Sequence, residues 1–309
     1  MTVLFTHPDC LAHDTGPGHP ERPDRLRAVL AAFEDEAFRD LQRETAPLAE
    51  ESHFLLAHTV RHVDGVHQRL PASGLAAIDP DTIVSSGSWD AARRAAGAVV
   101  AAIDLVMAGR AANAFCATRP PGHHAERTGA MGFCLFNNVA IGALHARQMH
   151  EVERVAVVDF DVHHGNGTQD IFESDPGLFF ASTHQLGAYP GTGAAAEHGV
   201  HGNIVNIPLP AGTGSAGWRA AMSGSLLPAL RAFAPGLILI SAGFDAHEAD
   251  PLASMRLTAE DFGWGTEAIC EVAAEVCGGR VVSTLEGGYD LDALAASAAA
   301  HVRALMNAS

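Results

Sequence analysis

Four short segments carry side chains of the kind that do hydrolytic chemistry: Arg119-Pro-Pro-Gly-His-His124, Asp159-Phe-Asp-Val-His-His164, Ser241-Ala-Gly-Phe-Asp245 and Leu285-Glu-Gly-Gly-Tyr289. In the second, Asp159, Asp161 and His163 alternate beyond a Val-rich run, a costly place for polar groups unless they are paired or metal-bound. Such oxygen and nitrogen donors suit Zn²⁺ or Fe²⁺, and Asp245 is the natural third ligand from another strand, leaving an open coordination position. His123 and His124 follow a rigid turn that fixes where both rings point. With different partners behind them, Asp159 charged and Asn166 neutral, the two imidazoles can hold different protonation states. Tyr289 follows two glycines that let backbone approach closely, and its phenol can donate to a developing oxyanion. Each feature also has a structural reading: a capping network, a surface His pair, a packing tyrosine.

Each segment lies at the end of a predicted strand, and in open parallel sheets the strand carboxyl ends converge on one crevice. The predicted strands are Val3–Phe5, Ala114–Ala117, Arg154–Asp159, Leu178–Ser182, Ile204–Ile207, Leu237–Ser241 and Val281–Leu285. Helical patterns fill the intervals at Arg25–Phe33, Phe54–Leu70, Ser88–Ala108, Asn138–His150, Ala216–Ala234, Thr258–Cys277 and Leu291–Met306. Strand and helix alternate from about residue 90, and the strands are unbroken apolar runs, so the expected class is α/β with a parallel sheet covered on both faces. No linker, repeat or charge block divides residues 1–309, and one domain is expected.

The formal charge is −17, and all 19 basic residues are arginine. A chain this acidic is a poor partner for nucleic acid and attracts cationic molecules. The five cysteines form no Cys-x-x-Cys, which argues against a disulfide framework or a zinc knuckle. The opening Met-Thr-Val-Leu-Phe-Thr-His-Pro has neither a basic leader nor an apolar stretch of signal length. The run Ala98–Met107, broken by Asp104, is too short for a bilayer, so a cytoplasmic protein without membrane contact is expected. His58 and His62 are spaced for a helical metal pair, but a solvated face is the preferred reading. Cys134 reads as packing, and Gly191-Thr-Gly193 as a turn, because no Walker-type lysine exists here.

These segments, in this order and spacing, resemble the histone deacetylase superfamily of the arginase-deacetylase fold, from Gly18-His-Pro-Glu-Arg-Pro-Asp-Arg25 to Tyr289. Asn166 and Glu286 give the likeness a class II character. The resemblance implies a three-layer α/β/α sandwich with a mostly parallel sheet of about eight strands. It implies Asp161, His163 and Asp245 as zinc ligands, His123 and His124 as the catalytic pair backed by Asp159 and Asn166, and Tyr289 as oxyanion donor. Gly132, Phe133 and Tyr189 correspond to the walls of an acyl-lysine tunnel, Asp81 to a carboxylate at its rim, and Arg25 to an acetate exit. Two structural potassium sites correspond to Asp159, Asp161, His163, Ser182 and Thr183, and to Phe172, Asp175, Leu178 and Asn203. Which of His123 and His124 transfers the protons stays open.

The implied activity is removal of acetyl groups from N-acetylated amines. Acetyl-lysine in peptides or proteins and acetylated polyamines are the rival substrates, and a non-catalytic acyl-lysine reader is the alternative of another class. Leu252, in Asp250-Pro-Leu252, stands where a polyamine-selective branch carries a glutamate, which favours acetyl-lysine. A two-metal ureohydrolase needs a further carboxylate where Asp245-Ala-His247 has a histidine.

Overall fold

A computed structural model describes all residues 1–309. Its centre is an eight-stranded sheet built from β1 (Thr2–Thr6), β2 (Gln42–Thr45), β5 (Asn113–Cys116), β6 (Val155–Asp159), β7 (Leu178–Gln185), β8 (Ile204–Leu209), β9 (Leu237–Ala242) and β10 (Val281–Leu285). The order is β2-β1-β5-β10-β9-β6-β7-β8, and every pairing is parallel. Val155 and Val157 of β6 enter one core, while Ala156 and Val158 enter another; the cores hold 38 and 42 buried residues, so the sheet is covered on both faces. One face carries α2 (Glu51–Ala57), α3 (Val60–Gln68), α4 (Ser88–Met107) and α5 (Asn138–His150). The other carries α1 (Pro23–Ala32), α7 (Ser215–Ala221), α8 (Leu227–Phe233), α9 (Ala259–Cys277) and α10 (Leu291–Asn307). The short α6 (Asn166–Phe172) follows the second motif, and β3 (Leu75–Ala77) pairs antiparallel with β4 (Ile83–Ser85) in a separate hairpin. The expected three-layer sandwich is therefore present. No helix is long and apolar enough to cross a membrane.

Three elements depart from expectation. Strand β2 is an edge strand of sequence Gln-Arg-Glu-Thr with alternating exposure, so it lacks the apolar run by which the inner strands are recognised. The expected helix over Phe54–Leu70 is two helices, because Thr59 is extended and its side chain accepts from the His62 N–H, starting α3 afresh. The expected helix over Ala216–Ala234 contains a π turn at Met222–Leu226, directly before Pro228, whose missing N–H cannot continue an α ladder.

The four chemical motifs follow β5, β10, β9 and β6, four consecutive strands of the sheet. The register places Cys116, Thr284, Ser241 and Asp159 in one row across them, so all four chains leave the sheet at the same level. That row is what brings residues of distant sequence to one crevice.

Candidate active site

Beyond the row, Asp161, His163 and Asp245 meet. His163 Nδ1 lies 3.1 Å from Asp161 Oδ1 and 3.0 Å from Asp245 Oδ2. The remaining oxygens are held by backbone: Asp245 Oδ1 accepts from the Val162 N–H at 2.9 Å, and Asp161 Oδ2 from the Gly287 N–H at 2.8 Å. No arginine reaches either carboxylate. Space is so limited that a Cβ on Gly243 would sit 2.0 Å from Asp161 Oδ2, and one on Gly287 2.2 Å from Asp245 Oδ2. Burial disfavours a charged His163, yet Asp245 and Asp161 raise its pKa well above the ordinary imidazole value. The field at this point calls for positive charge, and the donors are two carboxylates and one imidazole. The residues present fit a divalent metal.

His123 and His124 lie beside this cluster with ring centroids 4.0 Å apart. His123 Nδ1–H donates to Asp159 Oδ2 at 3.0 Å, and His124 Nδ1–H donates to Asn166 Oδ1 at 2.8 Å. Burial opposes charge on both rings. For His123 the charges of Asp161 and Asp159 outweigh burial and push the pKa up to about 10. His124 has no such compensation, and burial together with His123 and His163 holds it well below its ordinary value. Adjacent residues thus differ in charge because their partners differ.

Tyr289 is half-buried, and the Arg25 guanidinium lies 4.8 Å from its ring centroid. Burial raises the phenol well above 10 despite that cation, so it remains a proton donor. A cavity of ≈ 210 Å³ opens over these groups, lined by Asp81, His124, Gly132, Phe133, His163, Tyr189, Leu252 and Tyr289. All eight are candidate site residues in the sequence. Gly132 has φ +57°, and a Cβ there would meet the His124 ring at 2.5 Å and Tyr189 Cε1 at 2.8 Å. Only glycine leaves the wall thin enough for a narrow passage. Phe133 also takes a left-handed backbone, with φ 68°.

Arg25 is fully buried and donates to the carbonyls of Gly288 and Glu286, on either side of Gly287. In the first set given to potassium, Asp159 pairs in register with Ser182, and Thr183 Oγ1 accepts from Trp218 Nε1 at 3.0 Å. In the second, Asn203 Nδ2 donates to the carbonyls of Phe172, Asp175 and Leu178 at 2.9, 3.2 and 2.8 Å. Phe172, Asp175, Leu178 and Asn203 therefore meet at one point, each carbonyl keeping a second lone pair. His58 and His62 are buried rather than solvated. His58 bonds the Glu126 carbonyl and the Asn137 N–H, and His62 bonds the Leu135 carbonyl, because the break before α3 turns both rings toward the loop ahead of α5.

Three acids essential to this geometry were absent from the sequence-based site. Glu21 is buried between Arg119 and Arg25. Glu286 Oε2 accepts from the N–H groups of Gly122 and His123, at 2.6 and 3.2 Å, fixing the turn that carries the His pair. Asp250 accepts from the N–H of Tyr289 at 2.7 Å and of Leu252 at 3.0 Å, tying the phenol to the cavity rim. The signal for each was an acid inside an otherwise assigned motif.

The histone deacetylase domain family matches residues 19–305. A histone deacetylase-like amidohydrolase of Pseudomonas aeruginosa is 37% identical, covering 93% of this chain and 81% of that one. An uncharacterized protein of Synechocystis sp. is 40% identical over 99% of this chain and 100% of its own. The crystal structure of the HDA15 HD domain superposes with a TM-score of 0.92 at 37% identity, covering 99% of this chain and 88% of that one. The chain belongs to the histone deacetylase family, and the family supports a hydrolase of the deacetylase type.

Proposed function

We propose that this protein is a zinc-dependent amidohydrolase that removes acetyl groups from N-acetyl-lysine in peptides or proteins. The observation that carries the reading is the narrow cavity with Phe133 and Tyr189 as aromatic walls, and His124, His163 and Tyr289 at its base. Asp161, His163 and Asp245 would hold the zinc, which when bound supplies Lewis-acid polarisation of the amide carbonyl and a more acidic water. Phe133, Gly132 and Tyr189 enclose the aliphatic stem of the acyl-lysine, and Asp81 at the rim accepts from substrate backbone N–H groups. His124, with Nδ1 donating to Asn166, presents the lone pair of Nε2 and takes the proton of the attacking water. His123, kept cationic by Asp159, stabilises negative charge beside it. The Tyr289 hydroxyl donates to the oxyanion, and the proton on His124 leaves with the amine. Asp159, Asp161, His163, Ser182 and Thr183 are proposed to hold one structural potassium.

The test is kcat/KM for an acetyl-lysine peptide against N-acetylated putrescine and spermidine, with zinc content measured on the same sample. An advantage for the peptide is expected, because the rim residue is neutral Leu252. A polyamine advantage of about tenfold, worth about 1.4 kcal/mol, would overturn the substrate and leave the hydrolysis standing. Activity that survives removal of the zinc by chelation would overturn the metal assignment.

A further inference from the structure

Away from the cavity, α4 and α5 bring Asp104, His145 and His150 together. Asp104 Oδ1 accepts from His145 Nε2 at 2.8 Å and from His150 Nε2 at 2.7 Å, and one donor atom from each residue lies within 4.8 Å of the others. The His145 side chain is only 6% exposed, whereas His150 and Asp104 are 24% and 45% exposed, so the cluster is anchored on one side and open to water on the other. His53 of α2 stands edge-on to His145, with ring centroids 5.6 Å apart.

We propose that Asp104, His145 and His150 form a second, peripheral site for a divalent transition metal, with Zn²⁺ the natural occupant. Two imidazole nitrogens and a carboxylate oxygen are the donor types that Zn²⁺, Cu²⁺ and Ni²⁺ take, and here they already converge from two packed helices. One carboxylate oxygen receives both ring N–H groups, so the metal replaces two protons at the same point, and water completes its coordination from the exposed side. His53 is not a ligand in this arrangement. Its Nδ1 accepts from the Glu50 N–H in the capping box of α2, so its Nε2 carries the proton. The competing account is a plain hydrogen-bonded cluster tying α5 to α4, which would take no metal.

The site is separate from the catalytic one. Asn138, the first residue of α5, bonds the Pro120 carbonyl of the turn bearing the His pair, while His150 is the last residue of the helix. A helix of this length spans about 18–20 Å. A metal at the far end joins α4 to α5 and takes no part in hydrolysis.

The experiment uses the protein with its catalytic metal in place, titrated with Zn²⁺ by calorimetry, with bound metal measured after gel filtration and melting followed in parallel. Wild type is expected to take one further equivalent and to melt at higher temperature with it. His150→Ala and Asp104→Asn should bind that equivalent about 100-fold more weakly, since even loss of a group behind a ligand costs about 10–100-fold. Both should hydrolyse substrate as wild type does. His150→Ala alters a partly exposed side chain, and Asp104→Asn keeps the shape, so one of the two remains folded. A wild type that takes no further Zn²⁺, or variants that take it equally well, would overturn the proposal.

Discussion

Replacing Glu21 by glutamine tests whether the catalytic groups are held in place by one buried ionic strut. Glu21 accepts from Nε and Nη2 of Arg119 and from Nη1 of Arg25. Arg119 opens the turn that carries His123 and His124, and Arg25 grips the carbonyls on either side of Gly287, just before Tyr289. Burial works to raise the Glu21 pKa, but Arg119 and then Arg25 outweigh it and hold the carboxyl at about 2. Set against the ordinary value of 4.5, that is about 3 kcal/mol of stability at neutral pH. Removing one partner of a buried ion pair costs about 3–5 kcal/mol, which agrees. For a chain of this length about 3 kcal/mol lowers Tm by about 5 °C. The folded-state pKa is depressed, so the stabilisation is complete above about 4.5 and is lost as pH falls through about 2. Urea and thermal unfolding of Glu21→Gln and wild type should therefore differ most near neutrality and converge in acid. The kcat should fall more than KM rises, because the strut holds the turn of the His pair and the segment before Tyr289, whereas the walls are formed by Phe133 and Tyr189. A stability gap under about 1 kcal/mol, the size of an exposed pair, or a gap that widens in acid, would refute the reasoning.

Tyr289→Phe should reduce kcat by about 10²–10³-fold while metal content and substrate affinity hold; a variant within a few-fold of wild type would make Tyr289 a packing residue. His124→Ala should lose clearly more activity than His123→Ala, because general base transfer contributes about 10²–10⁴-fold and His123 serves only through its charge. The reverse ranking, read from kcat with metal content checked, would exchange the two roles. Asp161→Ala combined with Asp245→Ala should abolish both turnover and one equivalent of bound metal, and activity surviving that pair would count against a catalytic metal there.

The sheet was legible because seven of its strands are two-sided and read as apolar runs, and because the motifs sit at their ends. Strand β2 was not, since Gln42-Arg-Glu-Thr45 meets the core through one face only. Asp161, His163, Asp245, the His pair and Tyr289 were legible as chemistry that a strand end would not otherwise tolerate. Glu21, Glu286 and Asp250 were not, because their partners are main-chain N–H groups and arginines up to 164 residues away. A sequence shows an acid but not which distant backbone it caps. His58 and His62 failed for the same reason: the helical spacing was right, but Thr59 ends one helix and starts another.

The glycines and the acids of the site account for each other. Asp161 and Asp245 approach so closely that Gly243 and Gly287 have no room for a Cβ, and both carboxylates are fully buried. The buried arginines that could neutralise them, Arg25 and Arg119, are bound to Glu21 instead. The two acids consequently split: burial and Asp161 push Asp245 up, while His123 and His163 overcome burial to pull Asp161 down. Like charges at this separation resist joint ionisation unless a cation sits between them. A divalent ion held by Asp161, His163 and Asp245 would satisfy both and would take the place of the His163 proton, which would link metal affinity to the stability of this end of the sheet. His124 lies outside that balance, with a neutral amide behind it, and burial together with His123 and His163 keeps its ring neutral.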